Sequence, residues 1–393
     1  MAVRDLLNTS DCRLGDFIFP LFVYESENVY ERSLTSGFMN KSKVYHKRLE
    51  ESLERLIDFD ISQILLFGVP KQRNPNGDLS SAKRGIIQNS IRKIRENFGN
   101  NFTIFSDVCL CQYNTSGHCG ILSNKTGNNS GIKGKKSYDI EIDNDKTLES
   151  LGRVSLSLCD SGTDFIAPSA MMDGQVLYLR RLLNNHGYEH VKILSYSAKH
   201  NSCLYSPFRN NNYLSSGFID KSSYQCSFSN RRESIREILI DVQEGADWVM
   251  IKPSLWYMDI IKQARELVDI PIVVQNVSGE YALLKSLMSS AFLKGLPFGD
   301  NLSCRKTTST IPRVNGSNQG GSFRSIQDSQ KQSLTDLGRF DDTRITSNFG
   351  GNIVYEIDSV AKFILSLKRA GADKIITYFL LDLINDSRTH ASG

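Results

Sequence analysis

Apolar positions along this chain gather in short, nearly unbroken runs, separated by longer stretches in which they recur at helical spacing. The runs cover 16–23, 61–69, 102–108, 164–168, 191–197, 248–252, 270–277 and 374–378. Strands that read as continuous apolar runs are buried on both faces, the habit of parallel sheets. Between them Leu49, Leu53, Leu56 and Ile57 share one helical face, as do Ile235, Ile238, Leu239 and Val242. The same spacing predicts helices over about 81–97, 147–160, 173–187, 255–268, 280–290 and 354–370. Strand and helix alternating eight times predict an α/β fold closed as a (β/α)8 TIM barrel. An open doubly wound sheet satisfies the same alternation and stays open as the alternative.

Two segments interrupt the rhythm. Residues 123–138 and 298–351 are rich in Ser, Asn, Gly and charge, without a sustained period. They read as low-complexity, disordered insertions on the surface of one barrel domain spanning 1–393. No internal repeat stands out beyond the strand–helix rhythm. The composition is that of an ordinary globular protein, 40% hydrophobic and 23% charged. A net charge of +4 with scattered basic residues indicates neither nucleic acid nor a membrane surface as partner. The apolar run from Phe17 to Val23 is too short for a signal sequence or a span, so a cytoplasmic location is expected. In that setting eight cysteines do not imply a disulfide framework.

A barrel of this kind builds its active site at the C-terminal ends of the strands. Reactive side chains gather there: Asp107, Cys109 and Cys111 after the third strand, Ser169 after the fourth, Lys199 after the fifth. Lys252 closes the sixth, Ser278 follows the seventh and Tyr378 closes the eighth. A lysine at the end of an apolar strand loses solvation as an ammonium, which lowers its pKa and exposes a nucleophilic amine. If Lys199 and Lys252 face one cavity, each charge further disfavours the other. The bland reading is a lysine whose head reaches the rim. Cys109, Cys111 and Cys119 put three thiols into eleven residues, with Gly117 and Gly120 letting the loop fold back. Three protein ligands leave a tetrahedral position open, the arrangement of a catalytic zinc, with His118 as an outer partner. The competing reading is three buried, inert cysteines. The long segment 200–230 suits a lid carrying Tyr205, Phe208, Arg209, Lys221 and Gln225, its cations facing a substrate carboxylate; a solvated charged loop is the alternative.

DVCLCQYNTSGHCG, DFIAPSAMMDGQV, ILSYSAKH, YSPFR, NRRESIRE, EGADWVMIKPSLWYMDII, NVSGEYA and KRAGADKIITYF together resemble the porphobilinogen synthase (5-aminolevulinate dehydratase) family. The resemblance runs from about Leu14 to Asp386, broken by the two insertions. It implies a (β/α)8 barrel with an N-terminal arm, here short, assembled as a homo-octamer. It implies the condensation of two 5-aminolevulinate molecules into porphobilinogen with loss of two waters. By motif position Lys252 would hold the A-side substrate and Lys199 the P-side substrate as Schiff bases. Cys109, Cys111 and Cys119 would bind the zinc, and Asp107 would assist proton transfer. Arg209 and Lys221 would take the P-side carboxylate, with Gln225, Tyr205 and Phe208 near the substrate. Ser278 and Tyr378 would bond the A-side carboxylate, and Glu233 would bind an allosteric magnesium. The chain departs from the family pattern at Gln275 (usually Tyr), Ser206 (Gly), Lys221 (Arg), Ser116 (His) and Ala170 (often Asp). A class I aldolase type of enzyme, with one lysine and no zinc, and a non-catalytic barrel of the same family are the competing readings.

Overall fold

Eight parallel strands pair side by side and the last returns to the first, in a computed structural model that describes residues 12–34, 39–123, 141–205, 220–288 and 352–389. In chain order the ring contains β1 (Phe17–Tyr24), β3 (Gln63–Val69), β4 (Thr103–Val108), β7 (Phe165–Pro168), β8 (Lys192–Lys199), β9 (Trp248–Lys252), β10 (Ile272–Gln275) and β11 (Lys374–Ile376). Phe17 pairs with Ile375 and Ile18 with Ile376, so the sheet closes as a barrel and the open-sheet alternative falls. A short strand β2 (Lys43–Tyr45) extends the C-terminal half of β1, and β5 (Ile121–Leu122) pairs antiparallel with β6 (Ile142–Asp143).

The helices are α1 (Glu27–Leu34), α2 (Leu49–Asp58), α3 (Ile86–Phe98), α4 (Asn144–Cys159), α5 (Gln175–Asn185), α6 (Arg231–Gln243), α7 (Met258–Leu267), α8 (Ser278–Met288), α9 (Asn352–Ala370) and α10 (Leu380–Thr389). All eight helices expected from periodicity are present. α1, α10 and strands β2, β5 and β6 were not anticipated. The insertion at 298–351, and that at 123–138 apart from Ser123, lie outside the described residues.

Strand parity sorts two cores. On β1, Phe17, Phe19, Leu21 and Val23 pack outward beneath the helices, while Ile18, Phe22 and Tyr24 fill the barrel. The inner set continues with Leu65, Phe67, Phe105, Phe165, Leu194, Tyr196, Met250, Val273 and Ile376. Apolar contact on both faces explains why these strands read as unbroken apolar runs.

The end of the barrel opposite the strand C-termini carries a repeat that linear reading misses. Gly162, Gly245 and Gly371 each adopt positive φ (98°, 100° and 117°), and each stands two residues before an aspartate that leads into a strand. Arg95 of α3 binds Asp164 at 2.6 Å, Arg180 of α5 binds Asp247 at 2.6 Å, and Arg265 of α7 binds Asp373 at 2.8 Å. The same carboxylates accept from the Ile104, Ile193 and Ile272 amides at 2.7, 2.8 and 2.7 Å. Three successive double βα units are therefore tied by one device: an arginine, a left-handed glycine and an aspartate that caps the neighbouring strand.

Candidate active site

Inner parity delivers side chains to the mouth. Asp107 follows Phe105 at the end of β4, Ser169 follows Ala167, and Lys252 follows Met250 on the inward face of β9. β8 needs a correction. Ser195 points out, donating to Asp241 Oδ2 of α6 at 2.6 Å, and Tyr196 points in; plain alternation would then turn Lys199 outward. The pairing of β8 with β9 shifts register between Ser195 and Ala198, so Ala198 joins the outer core and Lys199 turns inward. The strand runs through Lys199 instead of stopping at 197, and β11 stops at Ile376, two residues before Tyr378.

One cavity at this mouth is lined by Asp107, Cys111, Ser169, Lys199, Tyr205, Lys221, Gln225, Lys252, Ser278 and Tyr378, joined by Phe22, Phe67, Gln112, Gln275 and Val277. Every expected site residue that the structure describes lines it except Cys109, Cys119 and Glu233. Phe208 and Arg209 lie outside the described residues. Glu233 sits in the first turn of α6, where it accepts from the Ser227 amide at 3.2 Å. Phe22, Phe67 and Gln112 carry no reactive group that linear reading would flag, although inward parity identifies the two phenylalanines.

The lysines share a neighbour: the Nζ atoms of Lys199 and Lys252 lie 5.6 and 5.2 Å from the Tyr196 ring centre. Lys252 is also 6.0 Å from the Phe67 ring and 5.7 Å from that of Tyr205, whose hydroxyl donates to the Lys252 carbonyl at 3.3 Å. Burial, then the Lys199 charge, lowers the Lys252 pKa to about 7. Lys199 donates to the Ser169 carbonyl. Burial raises Asp107, opposed by its hydrogen bond with Ser169 and by the two lysines. One oxygen each of Asp107, Gln112, Gln225 and Gln275 is buried without a hydrogen-bond partner. Four such acceptors around one cavity suit a ligand that brings N–H donors.

Cys109, Cys111 and Cys119 are buried with their sulfurs all within 4.8 Å of one another, the one His/Cys/Asp/Glu cluster among the described residues able to hold a metal. The donor set fits a thiophilic, tetrahedral ion. Thiol hydrogen bonds from Cys109 and Cys111, with the Lys221 and Lys199 ammoniums, hold the Cys119 thiol well below its ordinary range against the effect of burial. His118 is turned away from a ligand role: its Nδ1 lies 3.2 Å from the Tyr224 hydroxyl, which also accepts from the Cys119 amide at 3.2 Å.

Two loops are fastened by Glu280. Its buried carboxylate accepts from the Ser254 amide at 2.9 Å, the Val277 amide at 2.6 Å and the Leu255 amide. The turn after Lys252 and the turn before Ser278 thus share one acceptor. Gly279 lies so close to the chain at Leu204 that a Cβ there would sit 2.5 Å from its carbonyl oxygen. Neither residue stood out in the sequence.

A family model, delta-aminolevulinic acid dehydratase, matches residues 1–296. The delta-aminolevulinic acid dehydratase of Archaeoglobus fulgidus is 37% identical over 278 residues, 71% of this chain and 81% of that protein. The enzyme of the same name from Helicobacter pylori is 38% identical over 286 residues, 72% of this chain and 82% of the relative. Among solved structures, delta-aminolevulinic acid dehydratase (porphobilinogen synthase) of Toxoplasma gondii in complex with its product porphobilinogen superposes with a TM-score of 0.71 at 27% identity, covering 97% of this chain and 87% of its own.

Proposed function

The chain belongs to the delta-aminolevulinic acid dehydratase family, and from that premise we propose how its own residues carry the reaction. That reaction is the condensation of two 5-aminolevulinate molecules into porphobilinogen with loss of two waters, a step of porphyrin and heme biosynthesis. The observation that carries the proposal is the convergence of two lysines on one ring and one cavity.

Lys252, its pKa lowered to about 7 by burial and the Lys199 charge, attacks as an amine the ketone of one substrate and forms an imine with loss of water. Lys199 does the same with the second ketone. Asp107, buried within reach of both lysine charges and with an oxygen in need of a donor, receives and returns protons. Ser278 and Tyr378 hold the A-side carboxylate; Lys221, with Gln225 and Tyr205 beside it, holds that of the P side, the role the family resemblance also gives to Arg209, with Phe208 as a further substrate contact. Cys109, Cys111 and Cys119 hold zinc, which when bound supplies a Lewis acid for an oxygen or for the substrate amine. Phe22, Phe67 and Val277 give the cavity an apolar wall that keeps water from the imines.

The family resemblance extends to a homo-octamer and an allosteric magnesium on Glu233. Among the described residues, no metal-ligating cluster stands besides the three cysteines. No helix among the described residues is long and apolar enough to cross a membrane.

Purified protein incubated with 5-aminolevulinate should yield porphobilinogen, and borohydride added during turnover should fix substrate to Lys252 and Lys199. Peptide mapping that finds both lysines unmodified would sink the double-imine mechanism.

A further inference from the structure

The chain segment that follows β8 returns to the mouth at Lys221 and is pinned where the Cys226 amide meets the Lys199 carbonyl at 3.1 Å. Between those points it grips the metal loop twice. The Lys221 ammonium donates to the Cys119 sulfur at 3.3 Å, and the Tyr224 hydroxyl accepts from the Cys119 amide at 3.2 Å. Lys221 is 3% exposed, so this ammonium has been taken almost wholly out of water beside a sulfur. Such a placement is costly unless the sulfur side carries negative charge.

We infer that Lys221 is the outer partner of the three-thiolate site, offsetting its charge and so tying metal affinity to the wall of the substrate cavity. The inference rests on the zinc reading given above. Three thiolates around a divalent ion leave one negative charge in a buried place, and the Lys221 ammonium cancels it. Lys199 and Lys252 also line this mouth, but both are consumed as imines during turnover. Lys221 is the described cation at this mouth that the reaction leaves unmodified. Because it also lines the cavity, one ammonium touches both the metal ligand and the space a substrate fills. An N–H···S bond to one ligand is the kind of outer contact through which charge tunes metal affinity.

The test is equilibrium zinc binding by the full chain, measured against a chromophoric chelator without substrate. Lys221→Met should weaken zinc binding about 10- to 100-fold. Lys221→Arg, which keeps the charge, should retain most of the affinity. Cadmium at saturation supplies a second readout, since its thiolate charge-transfer band counts the sulfurs bound. That band should keep its full intensity in Lys221→Met and fall in Cys119→Ser. Should Lys221→Met not fold, as judged by circular dichroism, Lys221→Gln carries the same comparison. Wild-type zinc affinity in the uncharged variant overturns the inference while leaving the zinc reading intact. A cadmium band reduced by a third in that variant also overturns it, because the lysine would then be holding a ligand in place. Wild-type protein that binds no zinc at all removes the zinc reading and the inference with it.

Discussion

A lysine in water is an amine in roughly one copy of a few thousand at pH 7, whereas Lys252, lowered to about 7, has a far larger amine fraction there. The sign follows from the cause. Burial and the Lys199 charge both penalise the ammonium, so the reactive form is lost as pH falls through about 7 and gained above it. The rate of borohydride trapping at Lys252 should therefore drop about tenfold per unit on the acid side of that value. Lys199→Met removes the like charge, and the acid limb at Lys252 should move to higher pH; a limb that stands still would show that burial alone sets this pKa, and one that moves lower would show that Lys199 favours the ammonium. Gly279 gives a steric counterpart. A methyl there meets the Leu204 carbonyl oxygen at 2.5 Å, and the backbone next to Tyr205 must give way. Gly279→Ala should cost about 1–3 kcal/mol of stability and raise KM more than it lowers kcat, read from thermal melts and steady-state kinetics. An unchanged KM would mean that Tyr205 does not need its present place.

Among the elements, the ring strands were legible because each is buried on both faces and so appears as an uninterrupted apolar run, and the helices because one face of each repeats. What stayed hidden has local causes. Lys-Val-Tyr of β2 is too short to show a period, and it pairs only because β1 runs past its two pairs with β11. The β8 bulge falls among small residues, Ser195, Ser197 and Ala198, whose polarity marks neither face, so the sequence offered Lys199 as a strand-end lysine without showing how it turns inward. The glycine–aspartate repeat is three residues long at each of three distant places, too short to stand out along the chain, and its arginine partners stand a strand earlier. At the site, lysines and clustered cysteines announce themselves, whereas Gln112, Gln225 and Gln275 matter through buried, unpaired oxygens that only the fold reveals. The repeat also separates stability from chemistry. Arg180 works at the far end of the barrel, where it binds Asp247 at 2.6 Å and donates to the Val191 carbonyl at 3.1 Å. Arg180→Met should lower unfolding free energy by about 1.5–3 kcal/mol in denaturant titrations, with trapping at Lys252 unchanged. Trapping that falls in step with stability would show the two ends of the barrel to be linked.

For the molecule as a whole, the two cores carry the fold, and the three clustered thiols are the place proposed for the zinc. The inner and outer apolar clusters run around the entire ring, so stripping zinc with a chelator should abolish porphobilinogen formation yet leave circular dichroism and a cooperative melt. Loss of the melt would make the metal structural. Closure is more demanding than metal. The family model ends at residue 296, before the ring is complete. The eighth strand, β11, lies at 374–376 and meets β1 through two residue pairs. Lys368 reinforces that seam by binding Asp16 at 3.1 Å, and Lys374 adds a donor to the Gly15 carbonyl. The same last stretch brings Tyr378 to the cavity and lays Phe379, Leu380 and Leu383 into the outer core. A chain stopped after residue 296 would thus leave β1 and β10 as unpaired edges over an opened core, which invites association with other chains. Such a truncation should lose its cooperative melt, aggregate on light scattering and trap no substrate, even though it retains both lysines and all three thiols of the proposed zinc site. A truncated chain that melts cooperatively near the wild-type temperature would show that the last strand is dispensable, and that a barrel open at one seam is enough to hold the site.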